Sequence, residues 1–275
     1  MNATTTPDRG HHMRKTAYLL AGLLGAFASA TFALSAPHAL AAEAGPALKE
    51  VHWSFEGPLG SYDKAALQRG FQVYKEVCAS CHSLQFVTFG NLDDRGGPGF
   101  SEPEAKAIAK SYTKEVLDET GQPKEVPRTL ADTFPAPYPN EETARAANNG
   151  ALPPDLSLMP KARAHGPNYI FSLLTGFQDP PPGVTVLSGM HYNPYFPAPH
   201  QLAMAPPLTP DRVVYADGTP ATVEQMAKDV VTFLHWTAEP KMEERKRLGI
   251  SVMIYLILLA IILYAAKRHV WRDVH

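Results

Sequence analysis

The only two cysteines of the chain lie three residues apart, and a histidine follows the second one directly, in the run Cys78-Ala79-Ser80-Cys81-His82. This is the spacing at which c-type haem is attached. Each thiol can add across one vinyl group of the porphyrin, and the histidine then lies beneath the iron. A thioredoxin-like dithiol belongs beside a βαβ pattern, and a structural zinc site needs a second Cys or His pair at ligand spacing. The sequence shows neither pattern, so the pentapeptide predicts one covalently attached haem c.

A second axial ligand decides whether such a haem carries electrons or binds small molecules. A methionine thioether stabilises ferrous iron and closes the sixth coordination position. Met204 is followed by an alanine and two prolines, which fix the backbone just beyond the side chain, and we favour it as the ligand. Met159 precedes a single proline and is a weaker candidate of the same kind. The other candidates are Met190 and, for ligation by two histidines, His165, His191 and His200.

A helix is predicted directly before the haem motif, over residues 63–77. Leu67, Phe71, Tyr74 and Cys78 recur at helical spacing, so they share one face. That face would carry the first cysteine and would pack aromatic side chains beside the porphyrin.

A second helix is predicted after the Asp-Gly-Thr-Pro turn at residues 217–220. Thr219 is the expected N-cap and Pro220 the first helical residue, and the helix is expected to end near residues 239–240. Apolar residues recur along it at the spacing of a helix that packs against a core. This stripe consists of Val223, Met226, Val230, Phe233 and Leu234.

Between these helices the chain is rich in proline, with eight prolines in residues 123–160 and nine in residues 180–210. This density excludes long helices and central strands. Aromatic and aliphatic residues are interspersed throughout, so these loops can bury apolar surface, unlike a low-complexity linker. We therefore predict a mainly α protein, with a cytochrome c-type haem domain, long proline-rich wrapping loops and one C-terminal transmembrane helix.

Two apolar runs predict export and membrane attachment. Residues 18–34 follow a basic pair and precede small residues, as in a cleaved secretory signal; an uncleaved anchor is the alternative. Residues 248–266 carry no charge and would form a helix of about 28 Å, against a hydrocarbon core of about 30 Å. The chain is then a single-pass protein of the bacterial inner membrane. Its predicted parts are a signal peptide at 1–42, a periplasmic haem domain at 43–240, a basic juxtamembrane segment at 241–247, a transmembrane helix at 248–266 and a cytoplasmic tail at 267–275.

The predicted haem domain is acidic, although the whole chain has a net charge of only −2. Residues 43–240 hold 23 Asp and Glu against 15 Lys and Arg, a net charge of −8. This balance argues against a nucleic-acid partner and favours a basic protein attracted over long range, or else serves solubility alone. The sequence shows no phosphate-binding glycine loop and no nucleophile elbow, so it indicates no hydrolase or transferase site.

Several blocks of the sequence, taken in order, resemble the cytochrome c1 family, the haem subunits of the ubiquinol:cytochrome c oxidoreductase (cytochrome bc1) complex. The similarity covers most of the chain after the predicted signal. The blocks are RGFQVYKEVCASCHS at 69–83, ARAANNGALPPDLS at 144–157, NYIFSLLTGF at 168–177, NPYF at 193–196, LAMAPPL at 202–208 and DGTPATVEQMAKDVVTFLHWTAEP at 217–240, followed by the basic and apolar C-terminal segments.

The resemblance implies the ligands of the haem. Cys78 and Cys81 would carry the thioether bonds, His82 would be the proximal ligand, and Met204 would be the distal ligand. The loop at residues 197–201 departs from the family, because it is one residue longer than in the mitochondrial pattern. The resemblance therefore implies the ligand, Met204, more closely than it implies the conformation of the loop that leads to it.

The resemblance also implies one-electron transfer, so the chain would be no enzyme by itself but an electron-transfer subunit of an oxidoreductase complex. Arg163 and Tyr169 would lie by the haem propionates as charge-assisted and hydroxyl donors. Electrons would arrive from a Rieske iron–sulphur protein and leave to a soluble or tethered basic c-type cytochrome, with cytochrome b and membrane lipid as further partners.

Two other functions remain open at this point. One is a membrane-tethered cytochrome c that serves an oxidase. The other is a haem peroxidase or gas sensor, which needs an open sixth coordination position and a distal histidine such as His165 or His191.

Overall fold

This computed structural model describes residues 46–273 of the chain, and helices are their main regular secondary structure. Two short antiparallel sheets accompany them, β1 with β2 and β3 with β4. The mainly α prediction is confirmed, whereas the predicted signal peptide at 1–42 lies outside the described residues. The helices are α1 (Lys64–Glu76), α2 (Glu102–Lys110), α3 (Glu141–Ala147), α4 (Gly166–Leu174), α5 (Val223–Ala238) and α6 (Met242–Val270), and the strands are β1 (Thr113–Leu117), β2 (Pro123–Pro127), β3 (His191–Tyr192) and β4 (Gln201–Leu202).

Helix α1 forms where the apolar spacing predicts it. The Asp63 carboxylate caps its N-terminus by accepting hydrogen bonds from two backbone N–H groups of the first turn. Leu67, Phe71 and Tyr74 are all buried on one face, as predicted. The helix ends at Glu76, and only its C-cap residue, Val77, separates it from the first cysteine of the haem motif.

Helices α1 and α5 pack closely at the centre of the fold. A Cβ atom at Gly70 would lie 2.1 Å from the carbonyl oxygen of Asp229, so only glycine permits this approach. The Phe233 ring lies 5.7 Å from the Phe71 ring and 5.8 Å from the Tyr74 ring, measured between centroids. The apolar stripe predicted on the second helix is therefore core, and it packs against the helix that carries the haem motif.

A buried ion pair joins the same two helices. Arg69 donates to both carboxylate oxygens of Asp229, from Nε at 2.9 Å and from Nη2 at 3.0 Å, and Asp229 is fully buried. Gln225 donates to the same carboxylate, and Arg69 Nη1 reaches Asp217 at 2.8 Å. These bonds satisfy a charge that would otherwise be costly to bury.

The predicted start of α5 is wrong by three residues. Thr222, not Thr219, is the N-cap, and its hydroxyl accepts from the backbone N–H of Gln225 at 3.1 Å. The Asp217 carboxylate instead accepts from the Thr219 N–H at 3.0 Å, which closes the turn on itself and keeps Pro220 outside the helix. The predicted end is confirmed, because the last helical residue is Ala238.

The proline-rich segments form ordered loops that contribute to the core. They hold only short elements, among them α3 and strands β2, β3 and β4, as the proline density predicts. Phe134, Leu156 and Leu208 from these loops are buried, and the Phe134 ring lies 4.4 Å from the Phe89 ring. The loops therefore pack against the helices as ordered parts of the domain and are not linkers.

Helix α6 is long and apolar enough to cross a membrane, by its length and composition, and its apolar side chains are exposed. Its first turns dock on the domain: Met242 is buried, and Lys246 Nζ donates to the carbonyl oxygens of Phe55 at 2.6 Å and Gly60 at 3.1 Å. Glu243 accepts from the backbone N–H of Tyr62 at 2.7 Å. Most of the basic segment predicted at 241–247 thus belongs to this helix and is fixed to the domain.

Candidate haem site

The haem motif lies in a tight turn at the C-terminal end of α1. Residues Cys78–Ser80 form a single 3₁₀ turn, and the Cys78 carbonyl accepts from the backbone N–H groups of Cys81 at 3.1 Å and His82 at 2.9 Å. The turn brings the two thiols and the imidazole to one end of the helix. Both cysteines are free and partly buried. Burial raises the pKa of the Cys78 thiol to about 12, so the thiol keeps its proton at neutral pH.

The His82 ring is held by a backbone carbonyl from a distant loop. Nδ1 lies 2.8 Å from the Pro154 carbonyl oxygen, which can only accept, so Nδ1 carries the proton. This leaves the Nε2 lone pair free to bind a metal. Burial lowers the pKa of His82, against the opposing effects of the Pro154 hydrogen bond and the Asp155 charge. A neutral imidazole in this tautomer is the form that ligates haem iron.

The loop that supplies Pro154 is fastened to the haem motif by the next residue. Asp155 Oδ2 accepts from the Ser83 hydroxyl and from the Gln85 backbone N–H, both at 2.8 Å. The backbone N–H of Leu156 donates to the Ser83 carbonyl oxygen at 3.0 Å. Neither Pro154 nor Asp155 is among the site residues predicted from the sequence. Both residues lie in the family-like block at 144–157, and this position could have indicated a role. It does not indicate which residues they contact.

Met204 follows the short strand β4, in a segment without regular secondary structure, and is partly buried. Strand β4 pairs with β3, and buried Asn193, just after β3, donates from its amide to the Leu173 carbonyl oxygen in α4 at 2.7 Å. Of the alternative methionines, Met159 packs against the hydrophobic core. Ligation of the iron by Met204 stays a prediction.

The alternative histidines lie in three different local settings. His165 is exposed at the N-terminal end of α4, His191 pairs across to β4, and His200 lies in the loop before β4. The Nδ1 atom of His200 is 2.6 Å from the Phe196 carbonyl oxygen, so this ring stabilises its own loop.

Arg163 and Tyr169 lie together where α4 begins. The Arg163 guanidinium is exposed, and Tyr169 is partly buried against the core. Burial raises the pKa of the Tyr169 phenol, and the neighbouring Arg163 opposes this rise. They form a pair of hydrogen-bond donors suited to a carboxylate, and their contact with haem propionates stays a prediction.

These residues fit a covalently attached haem better than a bare metal ion. They offer two free thiols, a neutral imidazole with Nε2 available, and a thioether in a constrained loop. Within residues 46–273 no group of three or more His, Cys, Asp and Glu side chains could hold a metal ion by itself. The donor set therefore excludes the zinc alternative in the described part of the chain.

Comparisons with known proteins agree with this chemistry. The family model described as "Cytochrome C1 family" matches residues 53–274. The chain is 49% identical over 243 residues to "Cytochrome b/c1" of Bradyrhizobium diazoefficiens, with 81% of this chain and 35% of that protein covered. It is also 49% identical over 243 residues to the mitochondrial cytochrome c1 haem proteins of Kluyveromyces lactis and Saccharomyces cerevisiae, with 88% of this chain covered in both cases. The chain spans about a third of the length of the Bradyrhizobium protein, and the matches cover 82% and 77% of the two yeast proteins.

Proposed function

Because the chain belongs to the cytochrome c1 family and is thus a haem c protein of electron transport, we propose that it is the electron-carrying haem subunit of a cytochrome bc1 complex. It takes single electrons from a Rieske iron–sulphur protein and passes them to a c-type cytochrome. The observation that carries this proposal is the hydrogen bond from His82 Nδ1 to Pro154, since it leaves Nε2 available at the end of the two-cysteine turn. The chain alone performs no bond chemistry on a substrate.

Cys78 and Cys81 attach the haem in this proposal. Each thiol would add its S–H bond across one vinyl group, with the C–S bond formed at one vinyl carbon and the hydrogen placed on the other. Both thiols leave the same turn after α1, which fixes the porphyrin relative to that helix. Haem c, once bound, supplies a one-electron ferric–ferrous couple.

His82 would bind the haem iron through Nε2, and Met204 would bind it through its sulphur. The thioether of Met204 favours the ferrous state, raises the reduction potential and keeps small molecules from the iron. Arg163 and Tyr169 donate hydrogen bonds to the propionates and so neutralise their charge. With both ligands supplied by the protein, the haem would exchange electrons without binding a substrate at the iron.

The proposed topology follows from the two apolar runs. A signal peptide at 1–42 exports the haem domain at 43–240 to the periplasm, α6 crosses the inner membrane, and the tail at 267–275 lies in the cytoplasm. The apolar span that begins near residue 248 supports this arrangement. Covalent haem attachment outside the cytoplasm fits it as well.

The proposed partners are cytochrome b, a Rieske protein, membrane lipid around α6 and a basic c-type cytochrome as acceptor. The name of the Bradyrhizobium relative, cytochrome b/c1, supports the first of these. The net charge of −8 over residues 43–240 supports the last, because opposite charge steers encounters over long range.

Extraction of the full chain in mild detergent tests the proposal. A dihaem cytochrome b and a Rieske protein should co-purify, and ubiquinol should reduce the haem of this chain in the purified material. Oxidase subunits in their place would support the tethered-cytochrome alternative. A ferrous haem that binds carbon monoxide readily would support the peroxidase or sensor alternative.

A further inference from the structure

Asp155 lies between the proposed proximal ligand and the loop that orients it. Its Oδ2 atom accepts from the Ser83 hydroxyl and the Gln85 backbone N–H, both at 2.8 Å. Its Oδ1 atom accepts from the Ser157 backbone N–H at 2.9 Å. One carboxylate therefore binds the segment that follows His82 and, at the same time, its own loop.

Ser157, at the other end of the Asp155 hydrogen bonds, is anchored to the core of the domain. The Ser157 hydroxyl accepts from the Phe86 backbone N–H at 3.1 Å, and the Ser157 carbonyl accepts from the Thr237 hydroxyl of α5, also at 3.1 Å. Ser157 is fully buried. Because these bonds fix Ser157, we expect a shift of the Asp155 side chain to displace its other neighbour, Pro154.

The Pro154 carbonyl is the sole acceptor that the described residues offer to His82 Nδ1, at 2.8 Å. The strength and direction of this bond set the orientation of the ring and the basicity of its other nitrogen. We infer that Asp155 is a positioning residue for the haem, which holds the Pro154 carbonyl against His82 and tunes the reduction potential through that ring. The inference rests on the proposed ligation of iron by His82.

The direction of the effect follows from charge and from geometry together. A carboxylate beside the proximal ligand stabilises the ferric form, which carries one more positive charge than the ferrous form. A firm Nδ1–H···O bond also makes the imidazole a better donor to ferric iron. Removal of the charge should therefore raise the potential, and loosening of the loop should rotate the ring.

The primary test is Asp155→Asn in the full chain, with equilibrium redox titration and ferric electron paramagnetic resonance. Asparagine keeps the size and one acceptor oxygen but removes the charge. The midpoint potential should shift to more positive values, with a several-fold higher ferrous-to-ferric ratio at a fixed ambient potential. The anisotropy of the low-spin ferric signal, which depends on ring orientation, should also change.

The matched control is Asp118→Asn. Asp118 makes the same kinds of contact in the turn between β1 and β2, where its Oδ1 accepts from the Thr120 hydroxyl and from the backbone N–H groups of Thr120 and Gln122. It should leave both the potential and the resonance signal at wild-type values. Equal results for the Asp155 and Asp118 variants would overturn the inference.

A second variant keeps the test decisive if Asp155→Asn does not yield a haem protein. Ser83→Ala removes one donor to Asp155 and keeps its charge, so the ferric signal should change while haem stays attached. An unchanged signal would overturn the inference. Failure of the proposed ligation would look different, because His82→Ala would then keep the low-spin spectrum of the wild type.

Discussion

The His82 imidazole is oriented by one backbone carbonyl, that of Pro154, at 2.8 Å. A proline at this position has no N–H group of its own, and its φ angle is fixed, so the carbonyl is supplied by a stiff piece of chain. The two thiols that precede this histidine lie on the same turn. At the scale of residues, the site therefore combines local donors from one turn with an orienting group from a remote loop.

Replacement of the proposed distal ligand gives the first prediction. Met204→Leu keeps the bulk of the side chain and removes the sulphur donor. The sixth position should open, the midpoint potential should fall, and the ferrous haem should bind carbon monoxide. Optical spectra with and without carbon monoxide measure this directly. Met159→Leu and Met190→Leu are the controls and should bind none; binding by the Met190 variant would move the ligand to that loop.

A partly buried histidine gives a pH prediction. His235 Nδ1 lies 2.8 Å from the Tyr62 hydroxyl, and its ring stacks on Phe55 with centroids 4.0 Å apart. Burial lowers the pKa of His235 to about 4; the Glu239 charge opposes this, whereas Lys161 and Lys246 add to it.

The free imidazole titrates near pH 6.5. Between about pH 6.5 and pH 4 the unfolded chain therefore binds more protons than the folded one, and the free energy of unfolding should fall as the pH drops through this range. Denaturant unfolding at several pH values measures the slope. His235→Gln cannot titrate and should flatten it, whereas the exposed control His52→Gln should keep the wild-type slope. An unchanged slope in His235→Gln would refute the assignment.

At the scale of elements, α1 and α5 determine where the haem motif lies. Gly70 lets their backbones approach, and the Arg69–Asp229 pair fixes their register across 160 residues of sequence. The haem turn begins directly after α1. The position of both cysteines thus depends on a helix–helix contact that lies outside the motif.

The ion pair between these helices gives the third prediction. Arg69→Met leaves the fully buried Asp229 carboxylate without its main partner, which should cost about 3–5 kcal/mol of unfolding free energy. Denaturant unfolding of the haem-loaded protein measures this loss. The double variant Arg69→Met/Asp229→Leu should recover most of it, because no unpaired charge remains. A loss below 1 kcal/mol in the single variant would show that water reaches the carboxylate.

At the scale of the whole molecule, the haem domain and the apolar helix are joined without a flexible linker. Helix α5 ends at Ala238 and α6 begins at Met242. Glu243 and Lys246 bind the segment at residues 55–62 from the first turns of α6. The domain is therefore fixed to the part of α6 that precedes the apolar span.

Truncation tests this junction. A chain that keeps the signal segment and ends at residue 247 should yield a soluble periplasmic haem protein, since the apolar span is removed. A chain that ends at residue 240 should melt at a lower temperature, because it lacks the Met242, Glu243 and Lys246 contacts. Thermal unfolding followed by haem absorbance compares the two. Membrane association of both would indicate an uncleaved N-terminal anchor.

The acidic surface gives the last prediction. Residues 93–142 hold 11 acidic and six basic side chains. If this charge steers a basic cytochrome c, the second-order rate of electron delivery should fall as ionic strength rises from 0.01 to 0.1 M, where the Debye length shrinks from about 30 to about 10 Å.

The structure indicates which of these charges to neutralise. Glu104 caps α2 and Asp118 accepts hydrogen bonds in the turn between β1 and β2, so neutralising them would change local contacts as well as charge. Glu115, Glu119 and Glu142 are exposed, and their joint change to glutamine should slow the low-salt rate. Stopped-flow mixing with a basic cytochrome c measures it. A rate independent of salt would assign the acidity to solubility alone.

Features that arise within a few turns of the chain could be predicted from the sequence. The haem motif, helix α1 and the apolar helix α6 follow from spacing between near neighbours, and the structure keeps all three. The predicted start of α5 is wrong because the Asp217 carboxylate accepts from the Thr219 N–H and extends the turn past Pro220. Thr219 could serve either as a helix N-cap or as a donor within the Asp217 turn, and the residue order alone does not show which of the two forms.

The groups that meet at the site from distant parts of the chain can be identified only in the folded molecule. Pro154 and His82 are 72 residues apart, and Asp155 lies equally far from Ser83. Neither pairing follows from residue type, because many carbonyls and carboxylates in the sequence could fill these roles. Packing of α1 against α5 and the wrapping of the proline-rich loops select these partners, since only the folded chain brings them within hydrogen-bonding distance.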